Sequence, residues 1–220
     1  MTLKRAGWLI AVAAVVAVAG TNVRAVDGPV VGHFSFGASL PQGEAGDSLE
    51  DGWAFHGGAT WFSPKRPNLG LRMDLGIDWF DVRSSVLAGI DTDQIVPGVQ
   101  PPDNGYARAW SGTVDLLWSP SSKGSTGWYL VGGVGVYYVQ AELSDDGVGM
   151  YCDPWWYWCY WVEGEYIIGS KSNWEWGLNA GVGLTFQAGP RTEIYLEAVY
   201  HWLDTKNRAE LVPISLGVRW

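Results

Sequence analysis

The sequence predicts an all-β protein, an eight-stranded antiparallel up-and-down transmembrane β-barrel. Three observations carry that reading. Eight runs alternate, with period two, between apolar residues and small or polar ones. The chain holds 15 Trp and 30 Gly in 220 residues, with aromatics at 14%. Beyond residue 25, no segment is apolar over the roughly 20 residues that a spanning helix needs. A Trp-rich chain without such a helix has one other way to satisfy its backbone polar groups in lipid, which is to close its strands into a barrel.

Residues 1–25 read as a secretory signal peptide: Lys4 and Arg5, then the 14-residue apolar run Gly7–Gly20, then small residues around Ala25, where cleavage is expected. The barrel domain is then 26–220. Losing Lys4, Arg5 and Arg24 takes the formal charge from −9 to −12. So acidic a chain, with no basic stripe, excludes nucleic acid as a partner. No cofactor motif is present.

The first run is His33–Leu40, with Phe34, Phe36, Ala38 and Leu40 outward and His33, Ser35, Gly37 and Ser39 inward. The second is Gly52–Phe62, with Trp53, Phe55, Ala59 and Trp61 outward and His56, Gly58 and Thr60 inward. The third, Leu69–Trp79, alternates without a break: Leu71, Met73, Leu75, Ile77 and Trp79 against Gly70, Arg72, Asp74, Gly76 and Asp78. The fourth is Tyr106–Trp118, with Ser111, Thr113 and Asp115 inward. The fifth is Trp128–Tyr138, and the sixth Asn173–Phe186. The seventh, Thr192–Trp202, turns Glu193, Glu197 and His201 inward. The eighth, Leu211–Trp220, turns Ser215, Gly217 and Arg219 inward.

The connections after runs two, four and six are short turns rich in Pro, Gly and Ser. Those after three and five are long, and those after one and seven intermediate. Short periplasmic turns and longer external loops are the asymmetry of outer-membrane barrels. Aromatics fall in two bands: Trp61, Trp118, Trp128, Phe186 and Trp220 at the short-turn end, and Trp53, Trp79, Trp110, Tyr138, Trp174 and Trp202 towards the other. Banding at two heights suits rings seated at two headgroup layers.

The stretches WGLNAGVGLTF (176–186), IYLEAVYHW (194–202) and PISLGVRW (213–220) resemble the small outer-membrane barrels of the OmpA-barrel and OmpX type, and the resemblance spans nearly all of 31–220. It implies an outer-membrane location amid lipid and lipopolysaccharide. It also implies that the last strand, closing on Trp220, is an assembly signal read by the barrel assembly machinery. It does not choose a role, because one barrel hosts adhesins, anchors, channels and enzymes.

Eight strands leave room inside for side chains and little else. Arg72, Asp74, Asp115, Glu193, Glu197 and Arg219 are expected to form an ion-pair network that plugs the lumen, with Arg72, Asp115, Glu193 and Arg219 in one layer. A narrow channel for small solutes is the alternative. The three histidines are placed inward at three heights: His33 low, His56 midway and His201 high. Lipid A deacylases use a His-x-Ser pair, and His33-Phe34-Ser35 matches its letters, but on the first run and pointing inward. A lipid A-modifying enzyme is therefore the second alternative, and no catalytic or metal site is assigned.

The connection between runs five and six holds YCDPWWYWCYW (151–161). Its flanks keep alternating, which extends the two strands into a protruding hairpin. Cys152 and Cys159, the only cysteines, are expected to bridge in an oxidising compartment. The bridge closes a ring that presents Trp155, Trp156, Tyr157 and Trp158, with Tyr160 and Trp161 at its base, to an external glycan, lipid or protein ligand.

Overall fold

The computed structural model describes residues 30–89, 102, 104–120, 126–152, 159–204 and 209–220, with side chains given except over 145–166 and 168. The expected signal segment and the tip residues Trp155, Trp156, Tyr157 and Trp158 lie outside the described residues.

The eight strands are β1 (Val30–Gln42), β2 (Gly52–Ser63), β3 (Arg66–Asp81), β4 (Asn104–Trp118), β5 (Thr126–Cys152), β6 (Cys159–Gln187), β7 (Glu193–Leu203) and β8 (Ala209–Arg219). Each pairs antiparallel with the next. β8 pairs back on β1, from His33↔Arg219 to Gln42↔Glu210, and so closes the barrel. Closure removes the open edges that hydrocarbon cannot satisfy. At the seam Gly32 and Trp220 exchange two backbone hydrogen bonds of 3.0 Å.

The alternation of each run decides its faces. On β3, Gly70, Arg72, Asp74, Gly76 and Asp78 are buried in the lumen, while Met73 and Leu75 are exposed on the wall. Leu116, Val134, Leu178 and Val182 continue that apolar wall, which suits lipid rather than water. The one gap in the β7–β8 ladder falls between Ala198↔Ile214 and His201↔Leu211, at Pro213, which has no N–H to donate.

Two short helices sit at the outer end: α1 (Gly43–Ser48) after β1 and α2 (Ser84–Leu87) after β3. Arg83 ties the two connections together, its Nε donating to the carbonyls of Gly46 and Leu49 at 3.0 and 2.9 Å. The strand ends fall within three residues of the sequence-read runs, except at β5 and β6, which reach 27 and 29 residues against 11–16 for the others. Their ladder continues past the barrel to Cys152↔Cys159.

Candidate functional site

The lumen is built around Arg72. Alternation on β3 turns it inward, and its long side chain crosses the barrel. Its Nη1 and Nη2 donate to the two Glu197 carboxylate oxygens on β7, at 2.5 and 3.1 Å. Its Nε donates to Asp74, which also bonds the His33 ring on β1. Glu197 accepts a further bond from the Tyr129 hydroxyl on β5 at 2.6 Å. A chain His33–Asp74–Arg72–Glu197–Tyr129 thus ties four strands across the interior, and Arg72 and Glu197 are 3% and 2% exposed. Forked guanidinium–carboxylate geometry of this kind is the strong form of an ion pair.

The other predicted lumen residues distribute differently from a single layer. Asp115 is the register partner of Arg72 on β4, yet it accepts from Thr113 at 2.9 Å and Asn179 at 2.8 Å, and Arg72 reaches past it. Arg219 lies 3.7 Å from its register partner Glu193. Its guanidinium also rests on the rings of Tyr129 and Tyr195, 4.8 and 5.3 Å from their centroids. The two tyrosines therefore separate the Arg219–Glu193 pair from the Arg72 network, and the expected common layer does not form. The histidine heights also need correcting. His56 and His201 meet, with ring centroids 6.2 Å apart. His201 Nδ1 is 2.7 Å from the Tyr137 hydroxyl, and His56 Nε2 is 3.6 Å from Asp78.

Apolar clusters bracket this polar middle. Phe80, Ala107, Ala109, Tyr137, Leu203 and Leu211 fill the outer end; Leu117, Tyr129, Val131, Tyr195 and Val199 fill the inner part. Among His56, Arg72, Ser111, Asp115, Asn179 and His201 lies a cavity of about 20 Å³. That is room for about one water molecule. Such an interior can hold charge in fixed pairs with little room for water beside them. His33 and Ser35 are buried inside it, away from the lipid wall where an acyl chain would approach. Among the described residues no trio of His, Cys, Asp or Glu is arranged to hold a metal ion.

Sequence reasoning missed the inward tyrosines. The signal was present: Tyr129, Tyr137 and Tyr195 sit on the face opposite Leu130, Tyr138 and Leu196, and glycines stand across from Tyr129 and Tyr195. Gly183 is the partner of Tyr129 and Gly217 that of Tyr195. A Cβ on either would overlap the ring's Cζ, so only glycine leaves the rings room to lie flat in the lumen. Arg108 was also missed. It is on the outer wall of β4, its guanidinium 4.2 Å from the Trp79 ring centroid and 4.6 Å from that of Tyr106, which shelter the charge at the rim.

The second candidate region is the β5–β6 hairpin. The last β5 residue paired with β4 is Ser144, opposite Asn104, and the first β6 residue paired with β7 is Gly177, opposite Leu203. From Asp145↔Tyr166 to Cys152↔Cys159 the two strands pair only with each other among the described residues. At about 3.3 Å per residue this ribbon adds roughly 25 Å. Cys152 and Cys159 are directly opposite each other in its register. Tyr160 and Trp161 follow on β6, and of these four residues the backbone alone is described. At the ribbon's root Trp174 and Trp176 are 69% and 70% exposed, and Trp174 packs on Tyr138 at 5.0 Å.

No family model and no curated protein matches the chain. Solved structures do. Neisserial surface protein A is 13% identical, with 86% of this chain and 94% of that chain covered and a TM-score of 0.50. A major outer membrane protein from Thermus thermophilus is 12% identical, over 87% and 98% of the two chains, with a TM-score of 0.52. Identities this low speak for the fold alone, and the fold is that of outer-membrane barrels.

Proposed function

We propose that this outer-membrane barrel is a non-enzymatic anchor for an external contact surface, and that the contact is made by the tip of the β5–β6 hairpin. One observation carries the proposal: the β5–β6 ladder continues out of the barrel past a single register shift at Leu143/Ser144 and brings Cys152 opposite Cys159, on either side of the six-residue tip. In this reading the signal peptide exports the chain to an oxidising space and the cysteines bridge. Closing so short a loop contributes about 2–3 kcal/mol. The bridge holds Trp155, Trp156, Tyr157 and Trp158 as a ring of aromatics on a rigid stalk. Trp and Tyr dominate binding hot spots and stack on sugar faces, so a glycan, lipid or protein ligand outside the cell fits. Lipopolysaccharide and phospholipid surround the wall, and the strand ending at Trp220 is handed to the assembly machinery. The alternative of a narrow channel is opposed by the two apolar clusters and the water-sized cavity. The lipid-modifying alternative is opposed by the burial of His33 and Ser35.

The test uses refolded protein in lipid nanodiscs, wild type against Trp155→Ala/Trp156→Ala. Tryptophan fluorescence is read with an aqueous quencher, then with added lipopolysaccharide or host-cell glycans. Quenching that a ligand relieves in wild type and not in the variant supports a receptor-like tip. Identical ligand responses in the two proteins would sink the proposal. Cys152→Ser/Cys159→Ser is expected to weaken the ligand response while leaving the barrel folded.

A further inference from the structure

Charge is segregated along the barrel axis. The three turns at the short-turn end, 63–68, 119–125 and 188–192, carry Lys65, Arg66, Lys123 and Arg191 and not one Asp or Glu. The outer connection 43–51 carries Glu44, Asp47, Glu50 and Asp51 and no Lys or Arg. The outer connection 204–208 carries Lys206 and Arg208 beside Asp204, so the distinction of the short-turn rim is that its turns hold basic residues and no acidic ones.

That rim lies beside an aromatic belt. Trp61, Trp118, Trp128, Phe186 and Trp220 are all outward and 39–48% exposed, and Trp118 meets Trp128 edge to face at 5.7 Å. Rings in that position mark where acyl chains give way to headgroups. Lys65 and Arg66 lie just past Trp61, and Arg191 lies just past Phe186; all three are exposed. Arg66 pairs with Ser63, two residues past Trp61, with Lys65 in the turn beyond. Arg191 lies two residues before Glu193, the partner of Gln187. At about 3.3 Å per residue this puts them on the order of 5–10 Å beyond the belt, towards the lipid phosphates. Flexible Lys and Arg stems reach such groups readily.

We infer that the short-turn rim is a contact surface for acidic glycerophospholipid, with Lys65, Arg66 and Arg191 holding its phosphodiester oxygens in the leaflet that the turns face. The lipid is bound by charge and not by shape, so the contact recruits any acidic headgroup and loses strength with salt. It also favours the insertion in which the basic rim meets the acidic leaflet and the carboxylate-rich loops face the other side.

The test is competitive lipid association, read by electron paramagnetic resonance with spin-labelled phosphatidylglycerol and spin-labelled phosphatidylcholine. The protein, refolded into phosphatidylcholine vesicles, is compared with Lys65→Gln/Arg66→Gln/Arg191→Gln. Wild type is expected to favour the glycerol lipid by roughly fivefold or more, since one basic residue near an acidic surface is worth about a factor of five. The preference is expected to fall towards parity in roughly 0.5 M salt, where the Debye length drops to a few ångströms. The charge-preserving variant Lys65→Arg/Arg66→Lys/Arg191→Lys keeps the preference. The exposed turn positions leave folding intact, checked by the gel shift of heated and unheated samples. Parity in wild type, or the same preference in the triple glutamine variant, would overturn the inference.

Discussion

Arg72→Met is the most informative single change. The substitution keeps a long apolar stem and removes three charge-assisted hydrogen bonds, two to Glu197 and one to Asp74. Glu197 is left with Tyr129, and Asp74 with His33. Both carboxylates stay in the interior, where the cavity beside them admits about one water, so little solvent is at hand to take the place of three charge-assisted hydrogen bonds. Breaking a buried pair from one side costs about 3–5 kcal/mol. With a urea dependence of about 2 kcal/mol per molar, that lowers the unfolding midpoint by roughly 2 M. The assay is urea unfolding of the protein in vesicles, followed by tryptophan emission. Arg72→Met/Glu197→Gln removes one of the two charges that the single change strands, the one that lost two hydrogen bonds, and is expected to recover about half of the loss. A single variant within about 0.5 kcal/mol of wild type would mean that water screens the lumen and the network does not stabilise it. A double variant no better than the single would mean that the unpaired Glu197 charge is not the source of the loss.

Two further expectations follow from the same interior. Gly183→Val forces the Tyr129 ring from its seat and breaks its bond to Glu197, costing about 2–4 kcal/mol; an unchanged near-ultraviolet circular dichroism spectrum and midpoint would contradict the packing described. In planar bilayers the wild-type barrel is expected to show no steady unitary conductance, because apolar clusters close the lumen on both sides of the polar middle. Stable stepwise openings would refute the sealed interior.

Most of the architecture was legible because its determinant is local. Pleating sends successive side chains to opposite faces, so one strand's pattern reveals its own two surfaces. β3 shows this best: the residues read as inward, from Gly70 to Asp78, are the buried ones. The bands of Trp61, Trp118 and Trp128 were readable for the same reason. The extension of β5 and β6 was legible in the alternation that continues on both flanks of 151–161, although the fifth run by itself ends at Tyr138. Alternation weakens where a ribbon leaves lipid, because both of its faces then meet water.

The lumen's wiring was not legible. The sequence by itself determined which residues face inward: Arg72, Asp74, Asp115, Glu193, Glu197 and Arg219 are all on the lumen side of their strands. Only the tertiary structure decided which of them meet. Arg72 passes over its own register partner Asp115 to reach Glu197, 125 residues away in sequence. Asp115 turns to Asn179, and the tyrosines opposite Gly183 and Gly217 divide one expected layer into two. The physical reason is the stagger of a closed barrel. Height within the lumen is set by the registers of eight pairings together and by which side chains are long enough to cross. No single strand carries that information in its own pattern.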